Sequence, residues 1–207
     1  MQKFKTYLFD FDGTLVDSHD SLVKVFEDSY ASVGVKVPQG YVLRLMRIPL
    51  FQGYEELNAP KDEASIKLFV DRINETLDDP EVLKLTRPYE DVFSNLIRLK
   101  NEGATLGIVT SNNVKHVKEV LHFLDFPKNL FDVIVGNQET KKHKPNPDPI
   151  YKALEILGIS KEGACYVGDG LDDKRAAVNA GVGAVLLDRN DEYENEDGIV
   201  IHSLSEL

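Results

Sequence analysis

Tyr7-Leu-Phe-Asp-Phe-Asp-Gly-Thr-Leu-Val-Asp-Ser18 joins an apolar run to two aspartates, Asp10 and Asp12, and follows them at once with Gly13 and Thr14. A short apolar run reads as a buried strand, and one apolar on both faces belongs to a parallel sheet covered by helices. Two negative charges sit badly inside such a sheet, so they mark the carboxyl end where the strand emerges, the edge at which open α/β sheets bind ligands. Gly13 supplies the permissive backbone that a turn there requires.

The same pattern recurs along the chain. Thr6 to Phe11, Thr105 to Thr110, Phe131 to Val135, Ala164 to Val167 and Val182 to Leu187 are short apolar runs, most with helical patterns between them, and Gly198 to Ile201 reads as a last short edge strand. Helix starts are marked by Pro88 before Glu90 to Lys100, by Asn112 and Asn113 before Val114 to Phe123, and by Pro147 before Asp148 to Leu157. Gly103 and Gly158 punctuate helix ends. Between Ser18 and Arg87 the alternation breaks. Leu22, Val25, Phe26, Ser29 and Val33, then Ile66, Phe69, Val70, Ile73 and Leu77, keep the spacing of amphipathic helices, which predicts a helical insertion after the first strand.

Composition limits the partners. A chain of 207 residues, 42% of them hydrophobic, can bury a sizeable core. Its apolar runs fall short of the roughly 18 to 20 residues of a membrane span, and Met1-Gln-Lys-Phe-Lys runs into the acidic motif with no signal-peptide pattern, so a cytoplasmic protein is expected. The single cysteine, Cys165, reads as a strand residue and allows no internal disulfide. With 35 acidic against 24 basic residues, the net charge of -11 argues against nucleic acid as a partner; monomer and dimer both stay open. A small anionic substrate then needs local cations or a metal.

The strand ends supply both. They bring Asp10 and Asp12, then Thr110 and Ser111, then Asp169, Asp172 and Asp173, while Lys144 lies in a loop stiffened by Pro145 and Pro147. Carboxylates gathered without counter-charge repel, and a hard cation such as Mg2+ resolves the conflict. A phosphate is the substrate that uses metal, ammonium and hydroxyl together. No phosphate-binding Gly-x-x-x-x-Gly-Lys-Ser/Thr loop is present, whereas an aspartate can itself attack phosphorus to form an aspartyl-phosphate.

Asp10-Phe-Asp-Gly-Thr-Leu-Val-Asp, Val109-Thr-Ser-Asn112, Lys144-Pro-Asn-Pro and Val167-Gly-Asp-Gly-Leu-Asp-Asp173, in that order, resemble the four motifs of the haloacid dehalogenase superfamily, and within it the phosphoglycolate-phosphatase-like branch. The resemblance runs from Tyr7 to about Leu187. It implies a Rossmann-like α/β core at residues 1–16 and 88–207, with helices on both faces, and a small helical cap domain at 17–87. It also implies a Mg2+-dependent phosphomonoester hydrolase. In it Asp10 is nucleophile and metal ligand, and Asp12 is general acid and base and ligates metal through its carbonyl. Thr110 and Ser111 lie on the phosphate, Lys144 neutralises nucleophile and phosphate, Asp169 completes the metal site and Asp173 supports it.

Dehalogenases of the superfamily lack the second aspartate of the first motif, so Asp12 favours phosphoryl transfer. Sugar-phosphate mutases carry a histidine near the position of Leu22, and the nearest here is His19. A catalytically idle regulator would have lost one of the acids, and none is lost. Asp172 reads as a helix-start residue, Asp17 as part of the hinge into the cap, and the histidines, with no metal-ligand spacing, as surface or helix-face residues. Ala180-Gly-Val-Gly-Ala184 reads as a helix stop and the acidic Asp188 to Asp197 as a solvated loop. The cap would act as a lid that sets specificity, with Arg44 and Arg47 as cations able to meet an anionic tail, although related caps often have Gly in place of Arg47.

Overall fold

The computed structural model describes residues 3–193 and 196–207, so the readings on Met1, Gln2, Glu194 and Asn195 lie outside the described residues. Its strands are β1 (Thr6–Phe9), β2 (Val16–Asp17), β3 (Arg87–Pro88), β4 (Thr105–Val109), β5 (Val133–Val135), β6 (Ala164–Gly168), β7 (Gly183–Leu187) and β8 (Ile199–Ile201). The helices are α1 (His19–Ser32), α2 (Val42–Arg47), α3 (Leu50–Glu56), α4 (Glu63–Leu77), α5 (Pro80–Leu83), α6 (Val92–Asn101), α7 (Val114–Phe123), α8 (Asp148–Leu157) and α9 (Leu171–Ala180).

Six strands form one sheet in the order β5-β4-β1-β6-β7-β8, every neighbouring pair parallel. The α/β core expected from the apolar runs is therefore present, with helices packed around the sheet. Leu8, Val109, Val133, Val135 and Tyr166 pack with Ile150, Ala153 and Leu154 of α8 and with Ala176, Ala177 and Ala180 of α9. Small residues on α9 let that helix approach closely. The chain passes from β1 to β4 and β5 on one side and returns to β6, β7 and β8 on the other. That reversal leaves a crevice beyond the carboxyl end of β1, where ligands bind in such sheets.

β1 stops sooner than its apolar run. Asp10 N–H still donates to Val167 O at 2.8 Å, but Phe11 O accepts from both Leu15 N at 2.9 Å and Val16 N at 3.1 Å, which closes a tight loop over residues 11–16. Phe11 is fully buried but lies outside the strand. Pro88, expected to open a helix, lies in β3, and the helix begins at Val92. Asp91 stands at its N-cap but makes no side-chain cap bond, and its Oδ2 accepts instead from Leu204 N. Asn113 does cap α7, accepting from His116 N at 2.7 Å, and Gly158 ends α8 in the left-handed conformation. His116, read as a surface or helix-face residue, is buried on α7.

Contacts divide the chain into two compact units, Met1–Asp17 with Pro88–Leu207, and Ser18–Arg87. Asp17 falls with the first as the second residue of β2, which pairs with β3. The second unit carries α1 to α5, and its core gathers Tyr30, Leu45, Tyr54, Ala59 and Phe69. The Phe69 ring lies 4.8 Å from Tyr30 and 4.7 Å from Tyr54, centroid to centroid. Helical periodicity identifies α1 and α4; α2, α3 and α5, at four to seven residues, are too short to show a period.

Candidate active site

Asp10 leaves the end of β1 almost buried, and Lys144 reaches it from the loop before α8, Nζ to Oδ1 at 2.9 Å. The same ammonium lies 2.7 Å from Asp173 Oδ1 in the first turn of α9, and the three side chains are only 6 to 12% exposed. Asp169, at the end of β6, completes a group of three carboxylates, Asp10, Asp169 and Asp173, with oxygens within 4.8 Å of one another. Residues from three distant parts of the chain therefore meet where the sheet topology opens its crevice.

Local backbone makes this possible. Gly13 has φ +75°, and a Cβ there would lie 2.4 Å from Asp169 Oδ2, so both conformation and close approach require glycine. At Gly168 a Cβ would fall 2.4 Å from Asp173, so the end of β6 must also be bare. Asp173 Oδ2 accepts from Gly170 N at 2.9 Å, which ties the carboxylate to the start of its helix. The Lys144–Pro145 peptide is cis.

The charges pull one another away from ordinary values. Burial pushes the Asp10 carboxyl well above the usual range; Lys144 opposes this, and Asp173 and Asp169 reinforce it. Asp169 is pushed up to about 6, by burial first and the Asp173 carboxylate second, against the pull of the Thr14 hydroxyl and Lys144. For Lys144 burial favours the neutral amine, but Asp10 and Asp173 outweigh it and hold the ammonium well above its normal range. One ammonium does not satisfy three carboxylates. The oxygen-only donor set and its excess negative charge fit a hard divalent cation.

A stability prediction follows for the metal-free protein. Asp169 carries a folded pKa above its unfolded value, so the native state binds more protons than the unfolded one between about 3.8 and 6. Its contribution is full below that window and is lost as pH rises through it, by roughly 3 kcal/mol. Urea unfolding in EDTA at pH 4 and pH 7 should show this component in the native sequence and not in Asp169→Asn. Equal pH dependence in the two proteins would refute it.

Around these four, the structure places the other expected residues unequally. Asp12 is half-buried in the tight loop, and its Oδ2 accepts from Asn112 Nδ2 at 3.3 Å. Thr110 is buried at the end of β4; its Oγ1 accepts from Asn112 N at 3.1 Å, leaving its own proton to donate. Ser111, beside it, is exposed. Asp172 pairs with Arg175 at 3.1 Å on the exposed side of α9, as a helix-start residue would. Arg44 does not stand open for an anionic tail, because Glu56 holds it by a two-pronged pair at 2.7 and 2.6 Å.

Three residues carry contacts the motif reading leaves out. Thr14 Oγ1 donates to Asp169 Oδ1 at 2.9 Å, and Asn112 steadies Asp12. Tyr166, buried in β6, donates its hydroxyl proton to Val109 O at 2.7 Å and accepts from Lys144 Nζ at 3.2 Å. A tyrosine in a strand buried on both faces is itself a signal, since its hydroxyl must find a partner inside.

Among the described residues no helix is long and apolar enough to cross a membrane. The chain matches the family described as haloacid dehalogenase-like hydrolase over residues 7–187. A protein of Caldanaerobacter subterraneus subsp. tengcongensis, provisionally named pyrophosphatase PpaX, is 36% identical over 89% of this chain and 82% of its own length. The pyrophosphatase PpaX of Halalkalibacterium halodurans is 28% identical over 99% and 95%. A crystal structure from Bacteroides fragilis, provisionally named a haloacid dehalogenase-like hydrolase, superposes with a TM-score of 0.87 at 24% identity, covering 99% of this chain and all of the other, which supports the fold. A match across the whole first-to-last motif span, together with the convergence of those motifs at one sheet edge, means that the chain belongs to the haloacid dehalogenase-like hydrolase family and is an enzyme of its hydrolytic class.

Proposed function

We propose that the protein is a Mg2+-dependent phosphohydrolase that works through an aspartyl-phosphate on Asp10. The observation that carries this reading is the Lys144 ammonium set between Asp10 and Asp173, with Asp169 beside them. Such a cluster is costly in an empty site and suits a dianionic group arriving with a cation. Asp10, Asp169 and the main-chain carbonyl of Asp12 would hold the metal, which when bound offsets charge on the nucleophile and the phosphoryl oxygens.

Asp10 then attacks phosphorus as the bond to the leaving oxygen breaks, and Asp12, protonated, gives its proton to that oxygen. The carboxylate of Asp12 next takes a proton from water, whose oxygen attacks the same phosphorus. Orthophosphate leaves and Asp10 is regenerated. Asn112 aims Asp12, the Thr110 hydroxyl donates to a phosphoryl oxygen, Lys144 stabilises the charge that gathers there, and Asp173 holds Lys144.

The substrate is a small phosphorylated molecule. The sequence points to phosphomonoesters, and the name pyrophosphatase of the relatives adds pyrophosphate, whose leaving group is a second orthophosphate. Phosphate release should be measured over pyrophosphate and a panel of metabolite monoesters, with Mg2+ and with EDTA. Metal-dependent release from at least one is expected, and EDTA should remove activity that added Mg2+ restores. Metal-independent release, or phosphate moved within a sugar phosphate faster than it is freed, would overturn the reading.

A further inference from the structure

The loop after β7 carries Arg189, 175 residues from the first motif, and its guanidinium donates from Nη2 to the main-chain carbonyl of Thr14 at 3.0 Å. The arginine is itself held by Asp91 and Tyr89. Nη1 donates to Asp91 Oδ2 at 3.2 Å, Nη2 lies 3.1 Å from Asp91 Oδ1, and the guanidinium carbon sits 4.0 Å from the centre of the Tyr89 ring. Asp91 in turn accepts from Ser203 Oγ at 2.8 Å and Leu204 N at 2.7 Å, so the segment after β8 braces it. Asp188 fixes the loop that bears Arg189 by accepting from Glu192 N and Tyr193 N, both at 2.8 Å. Tyr89 N also donates to Leu15 O at 3.3 Å, a second tie to the tight loop.

We propose that Arg189 is a positioning residue for the metal site: it pins the Thr14 carbonyl and thereby keeps the Thr14 hydroxyl on Asp169. The pin matters because the loop it holds is both short and crowded. Gly13 lies against Asp169 with no room for a Cβ, and Thr14 Oγ1 donates to Asp169 Oδ1. A loop free to drift by a fraction of an ångström would lose that bond and unseat the carboxylate. The guanidinium sets Nη1 on Asp91 and Nη2 on Thr14 in one fixed plane, a spacing that the single nitrogen of lysine does not reproduce.

This inference rests on the proposed Mg2+-dependent hydrolase, and its test separates the two. Mg2+ affinity is measured on the substrate-free protein by calorimetry, beside thermal unfolding in EDTA and steady-state kinetics with the best substrate from the panel above. Arg189→Met should weaken Mg2+ binding about tenfold and lower kcat by a like factor at limiting Mg2+, with KM at saturating Mg2+ shifting less than about twofold. Arg189→Lys, which keeps a charge for Asp91, should unfold near the native temperature yet bind Mg2+ as poorly as the methionine variant. It carries the test if the methionine protein does not fold. In a Thr14→Val background, which lacks the hydroxyl on Asp169, Arg189→Met should add less than about twofold, because the route is already cut.

Native Mg2+ affinity in both Arg189 variants would overturn the inference alone. So would effects of Arg189→Met and Thr14→Val that multiply in full, or loss of thermal stability with no change in Mg2+ binding. A native protein that neither binds Mg2+ nor releases phosphate would overturn the proposed function, and this inference with it.

Discussion

Asp10→Asn will lose at least about 10⁴-fold in turnover of the best phosphate substrate, because an amide nitrogen cannot take the place of the carboxylate in the attack on phosphorus. The same change will leave the metal-free protein as stable as the native one, or more so. Asp10 is buried with its carboxyl held well above the usual range by that burial, so the native state carries a penalty for its charged form. Asparagine removes the charge at nearly constant volume, and Lys144 keeps Asp173 as its partner at 2.7 Å. The stabilisation that Mg2+ confers should shrink in the variant, since one of its expected ligands is neutral. Thermal unfolding with and without Mg2+, next to phosphate release, checks both halves. A variant that retains turnover would remove Asp10 from the role of nucleophile. A variant that loses activity because it unfolds would show that the carboxylate stabilises the fold, opposite to the reading of its charge.

The sheet was legible because its signal is local. The parallel strands are apolar on both faces, so five stand out as short runs and the sixth reads as a short edge strand, and the order of motifs along the chain names the edge that carries chemistry. What strand reading misplaced is the end of β1. Phe11 is as apolar as Phe9, but only the chain's closure at Leu15 and Val16 decides that its backbone turns away from the sheet. Helix starts fared according to how their caps are used. Asn113 caps locally and is readable, whereas Asp91 spends its carboxylate on Ser203, Leu204 and Arg189, partners about a hundred residues away that no local pattern can show.

The site divides in the same way. Asp10, Asp169, Asp173 and Lys144 were legible as charges at strand ends, and the structure brings all four together. Their supports were not. Thr14, Asn112 and Tyr166 are residue types found anywhere, and their importance lies in a partner 155, 100 or 22 positions distant. Arg44 shows the converse. A cation in a helical segment reads as available for an anion until Glu56, twelve residues on, is seen to hold it.

Lys144→Met separates the ammonium's catalytic part from its structural one, because the two should respond differently to pH. In the proposed mechanism the ammonium stabilises charge on the phosphoryl group, so kcat/KM should fall about 10³-fold without it. Asp10 and Asp173 also lose the partner that lies 2.9 and 2.7 Å from them. Removing one member of a buried pair costs about 3 to 5 kcal/mol when the remaining charge stays charged. Asp10 and Asp169 need not stay charged, since both carboxyls already lie above the ordinary range and the loss of Lys144 moves them further in that direction. At pH 5 they take up protons and the cost is small. At pH 8 the native state must either hold the protons against the solution or bear the repulsion. Stability therefore falls with rising pH, the sign required when the folded state binds more protons than the unfolded one. Urea unfolding in EDTA should show a destabilisation relative to the native protein that is several-fold larger at pH 8 than at pH 5, and Mg2+ at pH 8 should recover part of it by supplying the missing positive charge. An equal cost at both pH values would mean that Lys144 stabilises the fold through packing of its stem. Undiminished kcat/KM would mean that phosphate never meets it.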